Sequence, residues 1–153
     1  MMIRIQRDAF NAAAELRSFS ATAAGAGATA MFVGSVRRES DGRPITAMTL
    51  EHYPGMTEKA LRDIEAEALR RWPIEHSLIV HRYGRLAPGD DIVLVITSSA
   101  HRQAAFAACE FLMDWLKTKA PFWKFEEGGT SADWVEAKTS DDAAAARWER
   151  QPG

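Results

Sequence analysis

The sequence predicts an α+β fold, an α/β hammerhead-like arrangement with a mostly antiparallel sheet and packed helices, spread over one domain of residues 1–153. Three observations lead there. Short apolar runs such as AMFV and IVLVI are bounded by Gly, Pro and Asp turn signals, the pattern of strands. Two longer stretches carry apolar residues at helical spacing. Strands and helices do not alternate regularly, which disfavours a wholly parallel sheet.

Taken in order, Met2–Gln6 alternates and reads as a strand. Asp8 is placed to cap a helix through about Phe19, and the Ala- and Gly-rich residues 21–28 read as a loop. Residues 28–36 and 45–53 read as two strands. Between them lies RRESDGRP (37–44), whose Asp41-Gly42 pair signals a turn, so a long hairpin with a charged tip is expected. Pro54-Gly55 breaks the second arm. A helix follows over residues 57–71, with Leu61, Ile64, Ala68 and Trp72 near one face. Arg70 and Arg71 occupy its last turn, where cations suit the dipole, and Pro73 stops it. Strands are expected at 76–83 and 91–97, joined by Pro88-Gly89-Asp90. Ser98 or Ser99 is placed to cap a helix to Lys117, with Phe106, Cys109, Met113 and Leu116 as its apolar stripe. A last strand over 133–138 and a short helix over 141–148 complete the chain.

The 153 residues are 46% hydrophobic and 26% charged, a globular profile with enough chain for a core. A formal net charge of −2 argues against broad nucleic-acid binding, which shows as a basic excess. The lone Cys109 excludes an internal disulfide and a cysteine-based zinc site, and reads as a buried structural thiol. The N-terminus lacks a signal-peptide run, and no stretch approaches a membrane span, so a cytoplasmic location is expected. The four histidines lack metal-motif spacing, and GAGA (25–28) lacks a phosphate-loop lysine, so no metal and no cofactor are expected.

Three basic clusters remain. Arg37-Arg38 ends an apolar strand. His101-Arg102 opens a helix, where unpaired N–H groups and the dipole favour a phosphate and Arg adds a bidentate donor. Lys117, Lys119 and Lys124 bracket Ala120-Pro121-Phe122-Trp123. Aromatic walls beside an ammonium reduce its solvation and move it toward acid–base use. Each cluster also has a plain reading: a solvated helix start, or a loop anchored by Phe122 and Trp123.

In order along the chain come FVGSVR (32–37), LEHYPGM (50–56), HRYG (81–84), PGD (88–90), SSAHR (98–102) and KTKAPFWK (117–124). Together they resemble the molybdopterin synthase catalytic subunit family, over residues 30–138. The resemblance implies a sulfurtransferase of molybdenum cofactor biosynthesis. A small ubiquitin-like sulfur-carrier subunit brings a thiocarboxylate on its C-terminal Gly-Gly tail, and the sulfur passes to cyclic pyranopterin monophosphate, building the dithiolene in two transfers. The resemblance also implies a homodimer core within a heterotetramer. Lys117 and Lys124 match catalytic lysines. Ser35, Val36, Arg37, His101, Arg102, Phe125 and Glu126 match substrate-binding positions alongside both lysines, and Phe32 and Met113 match pocket-lining ones. Phe125 stands where a basic residue is common in the family, and the tip at 38–41 differs from the common one.

A thiocarboxylate is itself a soft nucleophile, so the resemblance requires no catalytic cysteine. One geometric expectation follows from spacing: a straight helix over 101–117 puts its ends about 24 Å apart. A small pterin does not bridge that gap within one chain. The expectation is a composite site, with lysines from one subunit and His101-Arg102 from its dimer mate. Two other readings have discriminators. A non-catalytic binding module of the same fold, holding a phospho-ligand or a partner tail, would have no need of the paired lysines. Nucleic-acid binding near Arg37-Arg38 and Trp123 would show steep salt dependence.

Overall fold

Two four-stranded sheets, a two-residue ladder and four helices make up the described part of the chain in the computed structural model, which covers residues 1–128, 131–135 and 139–150. The elements run β1 (Met2–Gln6), α1 (Ala12–Thr22), β2 (Ala28–Ser35), β3 (Glu39–Ser40), β4 (Arg43–Pro44), β5 (Ala47–His52) and α2 (Met56–Arg71). After them come β6 (Ile74–Arg82), β7 (Gly84–Leu86), β8 (Asp91–Ser99), α3 (Arg102–Lys119), β9 (Phe122–Gly128), β10 (Ser131–Val135) and α4 (Thr139–Arg150). The first sheet has the order β1-β6-β8-β2 and the second β10-β9-β5-β7. β1 pairs with β6 in parallel, and the other ladders are antiparallel.

The central strands β6 and β8 carry the apolar runs Leu78–Val80 and Val93–Ile96, in which consecutive residues are buried because both faces are covered. Side chains alternate across a strand. Ile79, Val93 and Val95 therefore join Leu61, Phe111 and Leu112 of α2 and α3 in one core cluster. Leu78, Val80, Leu94 and Ile96 meet α1 through Phe19 and Leu16 in another. A third cluster, Val36, Ile45, Met48, Leu50 and Leu86, belongs to the second sheet, and Ile92 packs against both it and the first. Buried polar links fix the helices. Thr97 Oγ1 donates to the Ala105 carbonyl at 2.7 Å, Ser77 Oγ donates to Glu65 Oε1 at 2.6 Å, and Thr57 Oγ1 reaches the Pro121 carbonyl at 3.3 Å.

Several sequence expectations are corrected. The long hairpin does not form: β2 pairs with β8, while β5 pairs with β7 and β9. The turn signal acts only locally. Asp41 (φ 52°) and Gly42 (φ 76°) sit in the left-handed region that a tight two-residue turn requires, and they close only the short β3–β4 ladder. The first helix is capped by Asn11, whose Oδ1 accepts from the Ala14 N–H at 2.9 Å, rather than by Asp8. Ser98 and Ser99 do not cap α3; both are fully buried in β8, and His101 takes the cap position. Phe106 lies outside the stripe and is 66% exposed, while Ala105, Ala108 and Phe111 fill the buried face. The segment after Lys119 is not a loop but β9, in the middle of the second sheet. The last strand is β10, and residues 136–138 of the expected one lie outside the described residues.

Candidate active site

Between the end of the first sheet and the second sheet lies a cavity of about 670 Å³. β2 contributes Phe32, Gly34 and Ser35, with Val36 and Arg37 just beyond it. α3 contributes Met113, Leu116 and Lys117, and β9 contributes Phe122, Lys124 and Glu126. Strand periodicity explains the last set: positions 122, 124 and 126 share one face, so Trp123 and Phe125 do not belong to the wall. The apolar interior comes from Ile45, Met48, Leu50, Ile92 and Val93.

A β-bulge shapes the rim. The β2–β8 register slips between Gly34 and Ser35, opposite Val93 and Asp91. Ser35 Oγ then donates to Asp91 Oδ1 at 2.8 Å, and Val36 exchanges backbone hydrogen bonds with the 89–90 turn, 2.9 Å each way. This anchors Val36 at 4% exposure and leaves Arg37 exposed at the cavity edge. Gly34 is required for space: a Cβ there would lie 2.8 Å from Val93 Cγ1.

Both lysines are paired. Lys124 Nζ lies 3.4 Å from Glu126 Oε1, and Lys117 Nζ lies 3.9 Å from Asp141 Oδ2. Asp141 sits in the first turn of α4, where the dipole favours an anion. α4 itself is pinned to α3, because Asp114 Oδ2 accepts from Trp148 Nε1 at 2.7 Å and from Arg147 Nη2 at 3.2 Å. Lys119 is separate: it pairs with Glu149 and covers the Trp115 ring at 4.3 Å.

Of the residues singled out in the sequence, Phe32, Ser35, Val36, Arg37, Met113, Lys117, Lys124 and Glu126 come together at this cavity. Phe125 does not, for the reason of strand alternation. His101 and Arg102 are exposed at the opposite end of α3, about 24 Å away along the helix. Cys109 is 7% exposed and its thiol is pushed up to about 11, by burial first and the Glu110 charge second, so it stays a protonated core residue.

Sequence reasoning missed His81 and the α4 pair Ser140 and Asp141. His81 lines the cavity at 5% exposure and stacks on Phe122 with ring centroids 3.8 Å apart. Burial, above all, lowers its imidazole to about 4, with a smaller contribution from His52. The available signal was a histidine in phase with Ile79, directly after the apolar run Leu78–Val80. Nothing in residues 140–141 distinguished them from an ordinary helix start.

Residues 5–119 match the family described as MoaE protein. The molybdopterin synthase catalytic subunit of Pseudomonas aeruginosa is 56% identical over 149 residues, covering 97% of this chain and 99% of that one. The MoaE protein structure from Burkholderia ambifaria superposes with a TM-score of 0.82 at 55% identity, covering 97% of both chains. The molybdopterin synthase structure from Staphylococcus aureus gives 0.79 at 32% identity, covering 87% of this chain and 96% of that one. With the match spanning most of its length and the cationic cavity built from its distinctive segments, this chain belongs to the MoaE family of molybdopterin synthase catalytic subunits.

Proposed function

We propose that this chain transfers sulfur from the thiocarboxylate tail of a small ubiquitin-like carrier to cyclic pyranopterin monophosphate, acting as the catalytic subunit of a cytoplasmic molybdopterin synthase. The observation that carries this reading is the cavity itself. It gathers Arg37, Lys117 and Lys124 around an apolar interior, which suits an anionic peptide end beside a flat heterocycle.

The chemistry follows from the charges. The thiocarboxylate sulfur forms a carbon–sulfur bond to the pterin side chain as a carbon–oxygen bond at the same carbon breaks, the oxygen leaving as water after protonation or, where it belongs to the cyclic phosphate, staying on the phosphate as the ring opens. Water then cleaves the acyl–sulfur bond, the sulfur stays on the pterin, and the carrier leaves with a plain carboxylate. Two such rounds supply two sulfurs. Ammonium groups at Lys117 and Lys124 attract the tail and stabilise the oxyanion that develops when water attacks the acyl carbon. Asp141 and Glu126 hold those ammonium groups in place until the tail arrives and competes for them. Arg37 at the rim supplies charge for the phosphate. His101 and Arg102 join it from the second copy of a homodimer, since within one chain they lie at the wrong end of α3.

The test is conversion of the pterin precursor by the purified chain with thiocarboxylated carrier. Product should form with that carrier and not with its plain carboxylate form. Equal results with the two forms would reject sulfur transfer.

A further inference from the structure

We propose that His81 is a ligand-binding residue of this cavity, its Nε2 accepting a hydrogen bond from a neutral amide or lactam N–H of the bound reactants. The inference rests on the sulfur-transfer reading and adds to it a second kind of contact, neutral rather than ionic.

Three features of the geometry carry it. His81 Nδ1 lies 2.8 Å from the Arg82 carbonyl. A carbonyl oxygen only accepts, so Nδ1 holds the ring hydrogen and Nε2 holds a lone pair. Nε2 has no partner among the described residues, although the residue is 5% exposed and forms part of the cavity wall. The ring plane is fixed by its stack on Phe122, at 3.8 Å and 18°. A lone pair held in one direction at the wall of an open cavity is served by water until a ligand donor displaces it, so it offers a bound molecule a ready acceptor.

The kind of donor follows from charge. Burial keeps the imidazole neutral, and its neighbour His52 adds only repulsion toward a proton. A lone pair repels carboxylate, thiocarboxylate and phosphate oxygens, which the lysines and Arg37 serve instead. A neutral hydrogen-bond donor is what remains, and the amide or lactam N–H is the one the two reactants have in common. Both reactants carry one: the peptide bonds of a Gly-Gly tail and the ring nitrogens of a reduced pterin. The cavity therefore has an ionic station at Lys117 and Lys124 and a neutral station at His81.

The experiment compares wild-type chain, His81→Leu and His81→Gln in binding to two probes, the carrier in its plain carboxylate form and the pterin precursor. Leucine removes the acceptor, whereas glutamine offers an amide oxygen in its place. Loss of one good hydrogen bond predicts about tenfold weaker binding of one probe by His81→Leu, with His81→Gln recovering most of it. The weakened probe identifies the source of the N–H. Unchanged affinity of His81→Leu for both probes overturns the assignment while leaving the sulfur-transfer reading intact. Failure of the wild-type chain to bind either probe overturns both. Should the leucine variant not fold, 15N NMR of the wild-type imidazole decides. The Nε2 resonance should move on saturation with one probe, and a resonance unmoved by either overturns the proposal.

Discussion

Lys124 Nζ stands 3.4 Å from Glu126 Oε1, with the two side chains leaving β9 on the same face and entering the cavity together. At 31% and 16% side-chain exposure, the pair is neither fully solvated nor fully buried. The carboxylate orients the ammonium but also competes with an incoming anionic tail. The two residues should therefore respond differently to substitution. Lys124→Ala removes the oxyanion partner and should lower turnover by about 10²-fold or more. Glu126→Gln leaves the ammonium present and should cost about tenfold or less, through poorer orientation. Single-turnover product formation with saturating thiocarboxylated carrier measures both. A smaller loss for Lys124→Ala than for Glu126→Gln would reverse the two roles.

The separation of Lys117 from Arg102 along α3 gives a second prediction. If the site is shared between two copies, Lys117→Ala and Arg102→Ala homodimers are each inactive, but a mixed dimer has one site with both groups intact. Random subunit exchange gives half mixed dimers with one working site of two, so the mixture should recover about a quarter of wild-type activity. Recovery near zero, after mass spectrometry has confirmed exchange, would put both residues in the same chain's site, whereas an active Arg102→Ala homodimer would leave Arg102 out of it.

These relationships were unevenly legible in the sequence. The α2 helix was readable nearly to the residue because Leu61, Ile64 and Ala68 repeat at helical spacing and Pro73 ends it. The partner of β2 was not, because alternation specifies which face is buried and not which strand lies alongside. β9 was hidden for a related reason. Its alternation is carried by Phe122, Lys124 and Glu126 on the cavity face, so a strand built around a charged site resembles a polar loop. Lys117 and Lys124 stood out through their unusual neighbours. His81 did not, since a histidine at the end of an apolar run is ordinary until the fold makes it part of a cavity wall.

The buried His81 imidazole also makes the fold sensitive to acid in a definite window. Its value falls from about 6.5 when unfolded to about 4 when folded, with burial the main cause. A lowered folded value means that below pH 6.5 the unfolded chain binds a proton that the folded chain does not. The stabilisation is complete above about 6.5 and is lost progressively as pH falls toward 4, by about 3 kcal/mol at most. Denaturation midpoints taken between pH 7 and 4 should fall along this window, and His81→Gln should flatten that part of the curve. An unchanged slope in the variant would assign the acid sensitivity to other groups.

A lower window belongs to Glu67, whose carboxyl is held at about 2 by hydrogen bonds from Arg70 and Arg71. The bond that matters structurally is the 2.7 Å one to Arg71 Nε, because Arg71 is only 7% exposed. Arg71 lies 4.9 Å from the Phe111 ring centroid, and its Nη1 donates to the Trp148 carbonyl at 2.6 Å near the end of α4. Glu67 thus steadies a side chain that ties α2 to α4, the helix that carries Asp141 to Lys117. The stabilisation is present above the unfolded carboxylate value and disappears as pH drops from about 4.5 toward 2. After solvent screening it amounts to about 1 kcal/mol. Glu67→Gln should lower stability by that amount at pH 7 and have no effect at pH 2. Arg71→Ala removes both the ion pair and the carbonyl contact, so it should cost about 2–3 kcal/mol. Hydrogen exchange locates the damage: α4 amides should lose protection in Arg71→Ala while β6 and β8 keep theirs. Uniform loss of protection across the chain would instead make Arg71 a general core residue with no particular hold on α4.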